Sequence, residues 1–409
     1  MSKWSISGAT VLTPDETKYD ANVFINDNRI ERVSESSSKS PFSIDVQNNL
    51  LTPGLINGHD HLLGTYYPKV GNGPYENWLP WDNDLKSSPI YEERQQIENR
   101  DLYLLGGYRN LVSGVTTVSD HIPHFVNEPY IEIVPTKIID QYALAHAVVS
   151  FALAWGEGIE VEYKKAVEHD IPFVTHIAEG FDPETVQDIK TLDKKGGLGK
   201  NSVLIHGLAF SDEDIELIKK RGGSVVWCAD SNMFMFNRTA NVKKILEAGV
   251  NLCIGTDSPM SGGMNLLYEM QFDKKLYQQL YGAELSDELI VQMVTVNAAK
   301  AFKLKKNGLI KTGNIADLAL FYNKGDDPYQ SVVSAELKDV MLVIIEGRPA
   351  YGSPEFRELF HYTETAYQEI VIDGVERLII GDLIGLMRRI SRAVGFKKEF
   401  PFLPVQFDI

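Results

Sequence analysis

Residues 202–228 read SVLIHGLAFSDEDIELIKKRGGSVVWC, and they hold one complete strand, helix and strand unit. SVLIH is a short unbroken apolar run that ends on His206, the pattern of a strand covered on both faces. Ser211 and Asp214 then stand at capping-box spacing at the head of SDEDIELIKKRGG, and glycines stop that helix. SVVWC opens the next strand. The pattern continues outward on the C-terminal side with the helix ANVKKILEAG, the strand VNLCIGTD and the helix NLLYEMQFDKKLYQQL. On the other side IPFVTHIAE, ALAHAVVSFALAW and GVTTVSD fit the same scheme less cleanly, and the apolar run LLTPGLI leads into NGHDH. Strands alternating with helices build a parallel sheet. The stretch 53–305 has about the 250 residues of an eight-stranded β/α barrel. A doubly wound open sheet competes, but no GxGxxG follows the first strand. The expected fold class is therefore α/β, a distorted (β/α)8 barrel of the TIM type.

The flanks read differently. WSISGATVL, ANVFIND and RIERVS are short strands with Pro14-Asp15 and Asp27-Asn28 as turn signals, and SESSSKSP (34–41) is a polar loop. Strand character returns after NGLIKTGNIADLALFY, through VMLVIIEGRPAYG. Such strands cannot extend a completed barrel, so they are expected to pair with the N-terminal ones in a small composite β-sandwich built from both termini. The division is then 1–52 and 306–352 for the sandwich, 53–305 for the barrel and 353–409 for a C-terminal extension. That extension holds the amphipathic DLIGLMRRISRAVG and the proline-broken FPFLPVQF, which pack on the body or on a second subunit, leaving a homo-oligomer open.

Composition narrows the partners. The chain has 409 residues, 44% hydrophobic and 23% charged, with a formal net charge of −16. Affinity for a phosphate backbone rests on clustered Lys and Arg, so nucleic acid is not the expected partner. No stretch approaches the roughly 18 uninterrupted apolar residues of a membrane span, and the N-terminus lacks the apolar core and cleavage site of a secretory signal. The two cysteines, Cys228 and Cys253, lie in apolar runs and read as buried small hydrophobes. A small-molecule substrate and a cytoplasmic location follow as expectations.

Chemistry collects where the apolar strands stop. Side chains alternate along a strand, so His59 and His61 of NGHDH share one side and Asp60 takes the other. IPFVTHIAE ends in His176 with Glu179 three residues on, SVLIHG in His206 and VNLCIGTDSP in Asp257. In a β/α barrel the carboxyl ends of all strands converge on one face. A single strand-end histidine is ordinarily structural, whereas four strand ends finishing in His or Asp suggest a shared ion. Three imidazoles and a carboxylate suit one divalent metal, zinc first, with iron or manganese as alternatives. Zinc lowers the pKa of water to about 7. Glu179, offset from the ligands, stands where a proton shuttle belongs. His206 is either a fourth imidazole ligand or the group that polarises substrate and orients hydroxide. The second is favoured, because Asp257 already completes a four-ligand set. His121 and His124 of SDHIPH, with Trp155, Ser231, Asn232, Met233, Phe234 and Ser258, are candidates for the substrate pocket.

Taken in order, these segments resemble the amidohydrolase superfamily, and within it the metal-dependent aminohydrolases of the chlorohydrolase, guanine deaminase and adenosylhomocysteine deaminase kind. LLTPGLINGHDHL resembles the first-strand motif, VTHIAEG the fifth, VLIHGLAFSDEDIELI the sixth, VVWCADSNMFMF the seventh and AGVNLCIGTDSPMSGGMNLL the eighth. GLIKTGNIADLALF and VMLVIIEGRPAYG resemble the family's C-terminal sandwich strands. The resemblance implies one metal held by His59, His61, His176 and Asp257, Glu179 as proton shuttle, and His206 and Asp257 acting on water. Binuclear members carry a lysine on the fourth strand, which ALAHAVVSFALAW lacks. The seventh segment also departs, reading CADSN where the family often has Cys-Pro-x-Ser-Asn. The expected activity is hydrolytic deamination of an aminated purine, pyrimidine, pterin or triazine. Hydrolysis of an amide or carbon–halogen bond by the same groups is the alternative. A non-catalytic scaffold is the third reading, disfavoured because no matched position is lost. The zinc deaminases signed by P-C-x-x-C are a poor match, since this chain has no C-x-x-C.

Overall fold

The computed structural model of the chain describes residues 3–13, 16–36, 39–325 and 327–408. The Pro14-Asp15 turn signal, and Ser37 and Ser38 of the polar loop, lie outside them.

The unit over 202–228 forms as its sequence dictates. Ser202–His206 is a fully buried strand, and the helix Asp212–Arg221 opens on a reciprocal cap. The Ser211 hydroxyl accepts from the Asp214 N–H at 3.2 Å, and the Asp214 carboxylate accepts from the Ser211 N–H at 3.0 Å. Five strands pair side by side in the order Asn251–Ile254, Ser224–Trp227, Ser202–His206, Phe173–Ile177, Ala143–Leu144, all parallel. A second parallel sheet joins Leu55–Asp60, Val115–Asp120 and Lys137–Ile138. The fold is thus α/β with parallel sheets.

The strands of the two sheets do not share one continuous ladder, in contrast to the closed cylinder that the sequence leads one to expect. Where Leu55–Asp60 approaches Asn251–Ile254, a Cβ on Gly58 would sit 2.8 Å from the Ile254 carbonyl oxygen, and one on Gly255 would sit 2.7 Å from the His59 Cβ. Only glycine permits this approach. The contact is then made by single bonds: the Asp257 N–H donates to the His59 carbonyl at 3.0 Å, and the Thr256 N–H to the Asn57 side-chain oxygen at 3.1 Å. Register shifts on both sides of Asn57 keep the strand out of an ordinary ladder. At the other seam the facing strands, Lys137–Ile138 and Ala143–Leu144, have two residues each and do not pair.

Strands from both ends of the chain share a ten-stranded, mostly antiparallel sheet. Leu318–Phe321 lies between Leu50–Pro53 and Val340–Ile345, pairing Leu318 with Pro53 and Phe321 with Leu50. The extension adds a hairpin, Gln368–Ile372 and Val375–Ile379, at one edge. Its two-residue turn is Asp373-Gly374, both at positive φ (50° and 75°), the geometry of a type I′ turn. The amphipathic helix Leu383–Val394 packs on the body: Arg389 clasps the Asp101 carboxylate at 2.9–3.1 Å, and the Tyr108 hydroxyl donates to the Ile380 carbonyl at 3.0 Å. Lys137 pairs with Asp317, linking the three-stranded sheet to the terminal one. Cys228 and Cys253 are buried and unpaired. Among the described residues no helix is long and apolar enough to cross a membrane.

Candidate active site

His59, His61, His176, His206 and Asp257 meet at the carboxyl ends of their strands. The His59 and His61 rings lie 4.8 Å apart, and His59 is 5.0 Å from His176 and 5.5 Å from His206, centroid to centroid. Nε2 of His59 and of His61 are each 4.0 Å from Oδ1 of Asp257. Ligand-capable atoms of His59, His61 and Asp257 fall within 4.8 Å of one another, as do those of His176, Glu179 and His206, and those of His59, His121 and His176. Asp60 points the opposite way, as strand alternation requires. There it accepts two bonds from Arg109 Nη1 at 2.8 and 2.9 Å and one from Asn110 at 2.9 Å. Arg109 also donates to the carbonyls of Asp257 and Gly263 at 3.1 and 2.8 Å, so one buried cation braces two of the strand ends.

The hydrogen bonds behind the imidazoles fix where their lone pairs stand. A carbonyl can only accept, so His176 carries its proton on Nδ1, which lies 2.9 Å from the His146 carbonyl, and its Nε2 is left bare. His206 Nδ1 lies 3.0 Å from the side-chain oxygen of Asn232, whose own nitrogen donates to Thr239. The Trp227 indole N–H donates to the same Thr239 hydroxyl at 2.7 Å. This chain leaves His206 Nε2 without a partner although it is buried, and both ring nitrogens of His59 are likewise buried and unpartnered. Buried polar atoms are normally paired, and this set of nitrogen donors beside a carboxylate fits a divalent cation with nitrogen and oxygen ligands. Outer-sphere bonds from imidazole to carbonyl or amide oxygen are the arrangement that orients ligand histidines.

The electrostatics divide the two carboxyl groups. Burial, then the neighbouring charges of Asp257 and Asp188, push the Glu179 carboxyl well above its ordinary range. Burial also acts to raise Asp257, but the facing imidazoles of His61 and His206 and the bond from Ser231 outweigh it, so its carboxyl falls below the usual value. Its Oδ2 accepts from the Ser231 and Ser261 hydroxyls at 2.8 Å each, and Oδ1 from the Ser258 N–H at 2.7 Å. Burial holds His59 and His176 well below the ordinary imidazole value, and His206 at about 4, so these rings are neutral. Glu179 Oε1 lies 3.5 Å from His206 Nε2.

A cavity of about 420 Å³ opens over this cluster, with His61, His176, Glu179, His206 and Asp257 in its floor. Its walls carry the aromatic side chains of Tyr67, Trp78, Trp81, Tyr91 and Trp155 among aliphatic residues and methionines, with Arg94 and Asp82 also on the lining. Of the pocket candidates read from sequence, Trp155 is on this wall. Ser231, Asn232 and Ser258 stand behind it instead, holding Asp257 and His206, because each is buried and its bonds run to those groups. Met233 and Phe234 are also off the lining. His121 is buried 4.6 Å from the His176 ring. His124 is exposed, with Nε2 2.8 Å from the Tyr142 carbonyl and away from the cluster. The sequence reading missed Trp78, Trp81, His146 and the Asp60–Arg109 pair. The tryptophans stand in ENWLPW, the aromatic-rich start of the helix Trp78–Ser87 close after the first histidine motif, and that was the available signal. His146 lies 4.7 Å from Trp78 and 4.8 Å from Trp155, and burial lowers it to about 3.

The Amidohydrolase family matches residues 137–350, just over half of the chain. The protein belongs to that family, as the ordered motifs imply. A 5-methylthioadenosine/S-adenosylhomocysteine deaminase from Pyrococcus furiosus is 28% identical over 367 residues, covering 77% of this chain and 85% of that protein. An adenosine deaminase from Xanthomonas campestris with bound zinc has the same fold at a TM-score of 0.75 and 18% identity, covering 95% of this chain and 97% of that one. Atrazine chlorohydrolase TrzN from Arthrobacter aurescens TC1, complexed with zinc, superposes with a TM-score of 0.74 at 18% identity, over 88% and 99% of the two chains.

Proposed function

We propose that this protein is a metal-dependent hydrolase of carbon–nitrogen bonds that deaminates an aminated heterocycle. The observation that carries the reading is the set of buried, neutral imidazoles beside an ionised Asp257, with a carboxyl of opposite protonation tendency, Glu179, on the floor of an aromatic-walled cavity. Pairs of carboxyl groups whose surroundings drive their pKa values apart mark acid and base roles. His59, His61, His176 and Asp257 would hold the cation, zinc being the metal their donor set suits. A cation there supplies water of lowered pKa and polarises the bond under attack.

The remaining chemistry belongs to the chain. Glu179, whose carboxyl is pushed well upward by burial and the charges of Asp257 and Asp188, hands its proton to the ring nitrogen beside the amine-bearing carbon while water oxygen adds to that carbon. Asp257, bonded by Ser231 and Ser261, accepts a proton from the attacking water and passes it to the amine, which leaves as ammonia. The adduct's hydroxyl proton returns to Glu179 as the ring carbonyl forms. Its tautomer set by Asn232, His206 offers Nε2 to orient that water. Trp78 and Trp155 give a planar ring two faces to stack on and exclude bulk solvent. The two parallel sheets would be the halves of a distorted barrel spanning 53–305, with 1–52 and 306–352 as the composite sandwich and 353–409 as an extension.

Ammonia release across a panel of amino-heterocycles tests the reading. The relatives make 5-methylthioadenosine and S-adenosylhomocysteine the first compounds to try, followed by free purines, pterins and triazines. Release from at least one is expected. Turnover of an amide or a chlorinated ring with no ammonia from any amine would replace deamination by the alternative hydrolysis.

A further inference from the structure

We infer that His121 supplies an additional imidazole, through Nδ1, to the metal centre built on His59 and His176. The inference rests on the reading above that this cluster holds a divalent cation. His121 directly follows the strand Val115–Asp120, and its N–H donates to the Asp60 carbonyl at 3.1 Å, which sets it beside the first histidine pair. The residue is 1% exposed. Its Nε2 lies 3.0 Å from the Ala145 carbonyl oxygen, so Nε2 carries the proton and Nδ1 presents a lone pair. That Nδ1 is buried and has no partner.

The direction of the ring agrees with a ligand and not with a substrate contact. Its centroid is 4.6 Å from that of His176, 5.8 Å from His59 and 6.1 Å from His61, and it does not line the cavity. Ligand-capable atoms of His59, His121 and His176 come within 4.8 Å of one another. The far nitrogen bonds to a backbone carbonyl, the same outer-sphere anchor that His176 uses. Nothing else within the described residues reaches the bare Nδ1, and a cation would satisfy it together with one of the unpartnered nitrogens of His59. A fourth imidazole makes the site richer in nitrogen, which favours zinc or iron over magnesium and calcium.

X-ray absorption on the zinc-loaded full-length protein counts imidazoles directly. Four are expected in the wild type if His206 stays outside the shell, and three in His121→Phe. Chelator competition should show zinc held about 10–100-fold more weakly by His121→Phe, with His361→Ala, in the helix Arg357–Tyr362, unchanged. Three imidazoles in the wild type, or a His121→Phe affinity equal to the wild type's, would overturn the inference while leaving the metal reading intact. A wild type that takes up no zinc would remove both. Should His121→Phe fail to fold by circular dichroism, His121→Asn takes its place, with one imidazole fewer than the wild type expected and an unchanged count overturning the inference.

Discussion

Trp4, Ile6, Leu318 and Leu342 of the terminal sheet share one buried core with Phe360 of the helix Arg357–Tyr362, and the Trp4 indole N–H donates to the Gly347 carbonyl at 3.1 Å. Around His59 burial is as deep, yet both its ring nitrogens, His121 Nδ1, His206 Nε2 and the Ser258 hydroxyl have no partner. Positive φ outside glycine does not separate the two regions: Ala178, His206 and Asp257 adopt it beside the cluster (49°, 75° and 52°), and Gln47, Glu346 and Asp373 adopt it in the turns of the terminal sheet (50° each). The sheet converts apolar area into stability. The strand ends hold unpartnered polar atoms in an order that folding alone would not select.

This contrast can be broken by substitution. Glu179→Gln should lower kcat by about 10²–10⁴-fold, the usual worth of a general acid or base, with zinc content unchanged and thermal stability equal or higher. A fall in stability with preserved kcat would make Glu179 a structural residue. Arg109→Met removes the partner of a fully buried carboxylate and should cost about 3–5 kcal/mol in denaturant unfolding, along with activity, because Arg109 also holds the Asp257 carbonyl. Wild-type stability in that variant would show that Asp60 needs no countercharge. Leu342→Ala in the terminal sheet should cost about 2–5 kcal/mol and leave kcat as it was. A matching loss of kcat would mean that the two regions are coupled.

The smallest effect sharpens the comparison within the site. Asp188 is itself pushed up to about 7 by burial, and its charge adds to the forces that raise Glu179. A nearby negative charge disfavours ionisation, so Asp188→Asn lowers the Glu179 value. Activity that needs protonated Glu179 is then lost at a lower pH. The alkaline limb of the kcat profile should move down by less than about one unit, and a limb that stays or moves upward would separate the two carboxyls.

Legibility follows the same division. His59, His61, His176, His206 and Asp257 were readable because each ends an apolar run, and an apolar run that stops on a polar residue is a local pattern. The helix Asp212–Arg221 was readable from its cap. Lys137–Ile138 and Ala143–Leu144 are two residues long, too short for any periodicity, so the seam between the parallel sheets left no trace. Much of the cavity wall comes from the helices Trp78–Ser87 and Pro89–Arg94, where Trp78, Trp81, Asp82 and Leu85 share one face at helical spacing, a period that was present in the sequence and left unread. Asp60 and Arg109 are 49 positions apart, and nothing local links them. The Asp373-Gly374 hairpin was different: EIVIDGVERLII carries a two-residue turn signal between apolar strands, available in the sequence and left unread.

The most direct test of the account is ammonia release from the responsive amino-heterocycle by protein stripped with a chelator and then titrated with zinc. Silence in the stripped protein, with release restored in proportion to zinc bound, is the predicted result. Full release by the metal-free protein would contradict it.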